Sequence, residues 1–188
     1  MIEIFPYQPT WPVEFRSIAA ALRRVLGDRA VRIDHIGSTA VPGLAAKDVI
    51  DVQITVSALD DDLEQKMNAL GYQRPDGLWR DHRPAGMTGP DSDWAKWFFR
   101  PPAGQRRTNT HVRLQGHPNQ RYPLLFSDYL RAHPASAEAY AELKRRLAAS
   151  LADWETYPEV KDPAVDLIYF AAEAWVTVSG WHMGPSDA

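Results

Sequence analysis

The 188-residue chain contains no cysteine, which excludes disulfides, thiolate zinc sites and a cysteine nucleophile. It also lacks an excess of positive charge: 21 Lys and Arg against 24 Asp and Glu give a formal net charge of −3. A protein that binds nucleic acid or an anionic membrane over its whole surface needs a dominant basic field. Neither partner is therefore expected, although a local basic patch stays open. No apolar run is long enough to cross a bilayer. The opening residues MIEIFPYQPTWP have no basic segment followed by an apolar run, so no secretory signal is read there and a cytoplasmic location is expected. Internal repeats, low-complexity tracts and an interdomain linker are likewise missing, and a single domain over residues 1–188 is expected.

What is present is ordinary for a globular chain, with 45% apolar and 24% charged residues. Thr10 can cap a helix with Pro12 in its first turn, and Phe15, Ile18, Leu22 and Val25 recur at helical spacing up to Gly27. Val31, Ile33 and His35 alternate as a strand running into Gly37. From Val49 to Val56 a second strand puts Ile50, Val52, Ile54 and Val56 on one face and Asp51, Gln53 and Thr55 on the other. Ser57 can cap a helix whose stripe is Leu59, Leu63, Met67 and Leu70. Two further strands are expected over residues 94–100 and 108–115. Helices are expected over 121–132, 136–154 and 163–182, the last capped by Asp162 with Pro163 at its first position. The fold class is α+β: a small mixed sheet flanked by helices, with a helical C-terminal third.

The chemistry concentrates in residues 34–54, DHIGSTAVPGLAAKDVIDVQI. Gly37 at a strand end lets a phosphate approach the backbone without a Cβ clash. Ser38 adds a hydroxyl, and the Ser38 and Thr39 N–H groups can form an anion-binding concavity. Lys47 brings a charge that could neutralise phosphate oxygens. Asp51, mid-strand, must be paired, solvated or bound to a cation, and phosphoryl and nucleotidyl transfer use such a carboxylate to hold Mg²⁺. The same residues also read as two turns and a salt-bridged aspartate.

HIGSTAVPGLAAKDVID (35–51) closely resembles the signature of the GrpB family of small bacterial proteins. So do THVRL (110–114), FSDYLRAHP (126–134), the Tyr140–Lys144 helix, the Tyr157–Lys161 segment and Ala174-Trp175. The resemblance implies a fold similar to the polymerase-β-like nucleotidyltransferases, and some family members are fused to dephospho-coenzyme A kinase. Carried across, it implies nucleotide phosphates held at Gly37 and Ser38, with Asp51 as the first catalytic carboxylate and a metal ligand. The second carboxylate falls at position 53, where this chain has Gln53. An amide oxygen brings no charge, and a two-cation site cannot be balanced by one aspartate. Asp48 reads as a solvated turn residue unless a bulge turns it inward.

His35, Arg80, His82, Arg100, Arg106, Arg107, His111 and Arg113 form a cationic set on or near the expected sheet. His111, Arg113 and Arg100 are phosphate-binding candidates, because guanidinium forks match phosphate oxygens. His35, His111 and Asp51 would make a His/His/Asp metal set if neighbouring strands carried them. The aromatic run Trp94, Trp97, Phe98 and Phe99 suits a core or a base-stacking surface. Lys144, Arg145 and Arg146 read as a solvated basic face, whereas Asp128, Arg131, Tyr157 and Lys161 read as an ion-pair network or ligand contacts. The expected function is binding of a nucleotide or other phosphorylated small molecule. Transfer with Mg²⁺ would use Asp51 and Ser38 as catalytic residues, with Asp51 and Gln53 at the metal. The alternative is a catalytically degenerate binding or assembly module with a protein partner.

Overall fold

A computed structural model of the protein describes residues 2–151 and 156–188. In chain order the elements are α1 (Trp11–Leu26), β1 (Arg32–Ile36), β2 (Ile50–Val56), α2 (Asp61–Ala69), β3 (Lys96–Phe99), β4 (Thr108–Leu114), α3 (Pro118–Ala132), α4 (Pro134–Ser150) and α5 (Tyr157–Ser179). The sheet order is β1-β2-β4-β3, with β2 and β4 parallel and both outer pairs antiparallel. The β2–β4 crossover carries α2, a long irregular segment and β3, consistent with the long connection parallel strands require.

Period-two patterning splits the sheet into two chemically different faces. Ile33, Val52, Ile54, Val112 and Phe99 point one way and pack against α1 and α2; each is fully buried. The stripe Trp11, Phe15, Ala19, Leu22 and Leu26 supplies the α1 side of that core. The opposite face is polar. Registration places Asp34, Gln53 and His111 side by side, Asp51 beside Asn109, and Thr55, Arg113 and Lys96 in a third row. Such groups need partners once covered, and α3 to α5 cover them. The loop after β1 packs under those helices through Val41, Leu44 and Ala45 against Phe126, Leu130 and Tyr140.

After α5 the chain returns along β1. The Ile33 N–H donates to Ser186 Oγ at 2.9 Å, the His35 N–H to Asp187 Oδ2 at 2.8 Å, and the Ala188 N–H to the Ile33 carbonyl at 3.1 Å. This strap covers an edge strand that would otherwise offer unpaired backbone groups.

Several boundaries differ from expectation for local reasons. Asp60 rather than Ser57 caps α2, accepting from the Leu63 N–H at 3.1 Å. Among the described residues Thr10 makes no side-chain cap bond at α1. The last helix begins at Tyr157, with Pro158 in its first turn, and runs through Pro163, so Asp162 lies inside it rather than capping it. The expected helix over 136–154 ends at Ser150; residues 152–154 lie outside the described residues. Trp94 belongs to a short 3-10 turn and β3 begins at Lys96.

Candidate functional site

The site grows from the end of β1. Gly37 has φ +72° and ψ −168°, a conformation that is essentially glycine-only. A Cβ there would also collide with an Asp51 carboxylate oxygen. The glycine is therefore required first by the neighbouring strand's aspartate, a different reason from the phosphate approach the sequence suggested. Ser38 to Ala40 then form one 3-10 turn that aims the Ser38 hydroxyl under α4.

Between the polar sheet face, that turn and α3 to α5 lies a cavity of about 440 Å³. Its polar wall includes Ser38, Lys47, Asp51, Asn109, His111, Lys144 and Lys161, and its apolar wall includes Phe98, Tyr122, Phe126, Tyr140 and Tyr157. Asp51 Oδ1 accepts from Asn109 Nδ2 at 2.8 Å. Burial raises the Asp51 carboxyl above its ordinary value, against the Asn109 hydrogen bond and the charges of Lys47 and Lys161. Lys144 is 3% exposed, and its Nζ donates to Ser38 Oγ at 2.9 Å and to the Ala45 carbonyl. Burial, reinforced by the charges of Lys161 and Arg145, lowers its pKa to about 7. Burial also lowers Lys47 and Lys161. The Nζ of Lys47 sits 4.7 Å over the Tyr157 ring, and that of Lys144 sits 4.6 Å over the Tyr140 ring. Four lysines thus line one cavity with a single carboxylate on its wall; Lys96, the fourth, is held by Asp81, which leaves Lys47, Lys144 and Lys161 without a paired carboxylate of their own among the described residues.

Thr39 lines the cavity but holds His35 Nε2 at 3.0 Å through its hydroxyl. His111 reaches the wall; burial, then the charges of Arg113 and Lys96, hold its imidazole well below its ordinary pKa and therefore neutral, and its buried Nδ1 has no hydrogen-bond partner among the described residues. Arg113 is turned away from the cavity. Its Nε and Nη2 grip Asp81 at 2.8 and 2.9 Å, and its Nη1 donates to Gln53 Oε1 at 2.7 Å. Gln53 Nε2 in turn donates to the Gln120 carbonyl at 3.0 Å, so both ends of its amide have a partner. Arg100 is exposed, and its backbone bridges Gln73 away from the cavity wall.

His35 and His111 do not converge. They lie on opposite sheet faces, with β2 between their strands, and His35 stacks on Phe15 at 4.7 Å. Burial, then the charge of Arg131, lowers the His35 pKa to about 4. Asp48 is not simply solvated, since it accepts from Trp11 Nε1 at 2.8 Å and pairs with Arg106. That pairing, with Glu14 as a second partner, also removes Arg106 from the set of free cations. Among the described residues no group of three or more His, Asp or Glu is placed to hold a metal ion.

Sequence reasoning missed two residues. Lys144, expected in a solvated basic face, is buried; it falls one helical turn after Tyr140, on the side of α4 that faces the core, and that spacing was the available signal. Asp81 comes from the irregular segment and carried no sequence signal. It binds Arg113, Lys96 Nζ at 2.7 Å and Asn119 Nδ2 at 3.0 Å. Burial alone would raise its pKa, but the charges of Arg113 and Lys96 and the Arg113 hydrogen bonds hold its carboxyl well below the usual range.

The fold and cavity define a class: an α+β protein whose four-stranded mixed sheet turns a polar face toward three helices and encloses a lysine-rich pocket. Residues 1–170 match the GrpB protein family, and the chain belongs to that family. A crystal structure of a conserved GrpB protein from Enterococcus faecalis superposes with a TM-score of 0.74 at 30% identity, covering 92% of this chain and 99% of that one. A protein named dephospho-CoA kinase from Mycolicibacterium paratuberculosis is 36% identical over 96% of this chain and 48% of its own length. A UPF0157 protein of Pseudomonas aeruginosa is 38% identical over 87% of this chain and 64% of its own length. The chain spans about half the length of the dephospho-CoA kinase relatives it matches. Among the described residues no helix is long and apolar enough to cross a membrane.

Proposed function

We propose that the cavity binds a nucleotide or other phosphorylated small molecule. The observation that carries this reading is the convergence of Lys47, Lys144 and Lys161 around one carboxylate, Asp51, in a pocket walled by aromatic rings. Burying several ammonium groups costs free energy unless an anion compensates them, and the lowered pKa values of all three lysines reflect that cost. The Ser38 hydroxyl supplies a neutral donor beside the charges, and Tyr122 and Phe126 offer ring faces for an aromatic ligand body. About 440 Å³ suits a small ligand.

Nucleotidyl or phosphoryl transfer is the reaction class that the family's nucleotidyltransferase-like frame implies. The residues present do not fit its two-cation site. Asp51 is alone, Gln53 Oε1 is occupied by Arg113, and Asp81 is neutralised by Arg113 and Lys96. A second reading, a binding or assembly module without turnover, is favoured by that same Gln53. In it the protein partner would correspond to the additional half of the longer relatives.

A thermal-shift series on the full chain with AMP, ATP, dephospho-coenzyme A and inorganic phosphate, each with and without Mg²⁺, tests the binding. At least one phosphorylated ligand is expected to raise Tm, and Ser38→Ala is expected to reduce the shift. No shift with any ligand refutes the proposal. Binding without turnover selects the second reading.

A further inference from the structure

Ser38 and Lys144 form a pair that ligand binding alone does not require. Ser38 stands in the turn after β1 on the cavity wall, and the Lys144 nitrogen reaches its Oγ from α4 at 2.9 Å. The lysine is 3% exposed, and both oxygens that hold it, Ser38 Oγ and the Ala45 carbonyl, are neutral. A buried amine whose hydrogen-bond partners are both neutral favours its uncharged form, and the lone pair of that form accepts a proton. A hydroxyl in hydrogen-bond contact with such an amine is the arrangement of an activated serine. Lys161 faces the amine from α5, Lys47 and Asp51 from the sheet side, and Arg145 from its own helix. Lys96, also on the cavity wall, is held by Asp81. The phenols of Tyr140, which reaches Ser38, of Tyr122 on α3 and of Tyr157 on α5 are kept protonated by burial. Burial is likewise the largest influence on Lys144 and brings its pKa to about 7.

We propose that Ser38 is a nucleophile with Lys144 as its general base, and that the cavity hydrolyses a small carboxylic ester or thioester. This activity goes beyond the binding function proposed above and does not depend on it. Oγ attacks the carbonyl carbon while its proton passes to Lys144 Nζ. The bond to the alcohol or thiol then breaks, and Lys144 returns the proton to the leaving oxygen or sulfur. Water attacks the acyl-serine and gives a proton to Lys144; the carboxylic acid departs as Ser38 Oγ takes that proton back. An acyl carbon suits the pair better than a phosphate. It is uncharged, whereas the oxygens of a phosphate dianion repel the nucleophile, and among the described residues no cluster of His, Asp or Glu can hold a cation to relieve that. Phe126 and Tyr140, in edge contact at 5.7 Å on the cavity wall, offer an apolar seat for the acyl body.

The test is a fluorophosphonate probe on the full chain, read by intact mass and peptide mapping; Oγ bonds to its phosphorus and fluoride leaves. One label per chain, at Ser38, is expected. Its rate should rise roughly tenfold per pH unit below about pH 6.5 and level off above about pH 7.5, as Lys144 loses its proton. p-Nitrophenyl butyrate should be hydrolysed with the same pH profile. Ser38→Ala should abolish label and hydrolysis, and Lys144→Arg, checked for folding by circular dichroism, should slow both about a hundredfold. In the wild type alone, a label at another residue, no label at Ser38, or a rate that ignores pH overturns the inference. Absent ester hydrolysis, hydrolysis that survives Ser38→Ala, or a folded Lys144→Arg as reactive as wild type also overturns it. None of these results alters the thermal shift expected with phosphorylated ligands, so the binding function stands or falls separately.

Discussion

Replacing Asp81 by Asn removes the charge that holds the polar sheet face together. Asp81 accepts two bonds from Arg113, one from Lys96 and one from Asn119, at 2.7 to 3.0 Å. The Arg113 and Lys96 side chains are only 6% and 12% exposed, so water cannot substitute for the lost carboxylate. Breaking a buried pair by removing one partner costs about 3–5 kcal/mol, because the other charge stays buried and uncompensated. Asn keeps the shape and one acceptor oxygen, which places Asp81→Asn at about 3 kcal/mol and Asp81→Leu at about 5 kcal/mol. For a chain of this length that is a Tm fall of roughly 6–12 °C. Urea unfolding followed by tryptophan fluorescence measures it, and the m value should not change. The pH dependence has a definite sign. A carboxyl whose folded pKa is depressed contributes stability that is present above its unfolded pKa and lost as pH falls through the folded value. The gap between wild type and variant should therefore hold from pH 8 to 5 and close only in strong acid, below about pH 4. A loss under about 1 kcal/mol, the value of an exposed pair, would refute the network's structural role.

Three further changes follow from the same geometry. Gly37→Ala forces a side chain into a glycine-only conformation and against Asp51, and should cost about 1–3 kcal/mol by urea unfolding; an unchanged midpoint would show that the loop can move aside. Asp51→Asn removes the carboxylate on the cavity wall and should tighten AMP binding roughly thirtyfold, since a like charge within about 8 Å is worth about 2 kcal/mol at an effective dielectric of 20; weaker binding would identify Asp51 as a ligand or cation contact. Deleting residues 182–188 uncovers the β1 edge, removes its bonds to Ser186 and Asp187, and should lower stability by about 2 kcal/mol, a sum of individually small hydrogen bonds. Light scattering should then show edge-paired dimers, and a stable monomer would argue that the strap is dispensable.

The sheet and first helix were legible because their periodicity is strong: Ile50, Val52, Ile54 and Val56 alternate cleanly, and the α1 stripe is unbroken. Asp51 and Ser38, which line the cavity, were legible as residues to examine because a mid-strand carboxylate beside a Gly-Ser turn demands a partner. Arg113 illustrates the limit. Its strand position was read correctly, but its partner Asp81 lies 32 residues away in a segment with no periodic signal. Whether a cation faces a ligand or an internal carboxylate is decided by such long-range pairing. Lys144 shows the reverse, since a lysine next to two arginines reads as surface, yet helical spacing from Tyr140 turns it inward. The start of α5 escaped because Pro163 suggested a first-turn proline, a role that Pro158 fills instead.

The proposed function needs an anion site formed by Lys47, Lys144 and Lys161 at Ser38. A crystal structure of the full chain with AMP at saturating concentration tests it most directly. The prediction is a phosphate within hydrogen-bond distance of the Ser38 hydroxyl and the Lys144 ammonium, with the base against Tyr122 or Phe126. A phosphate bound elsewhere, with this cavity holding only water, would contradict it.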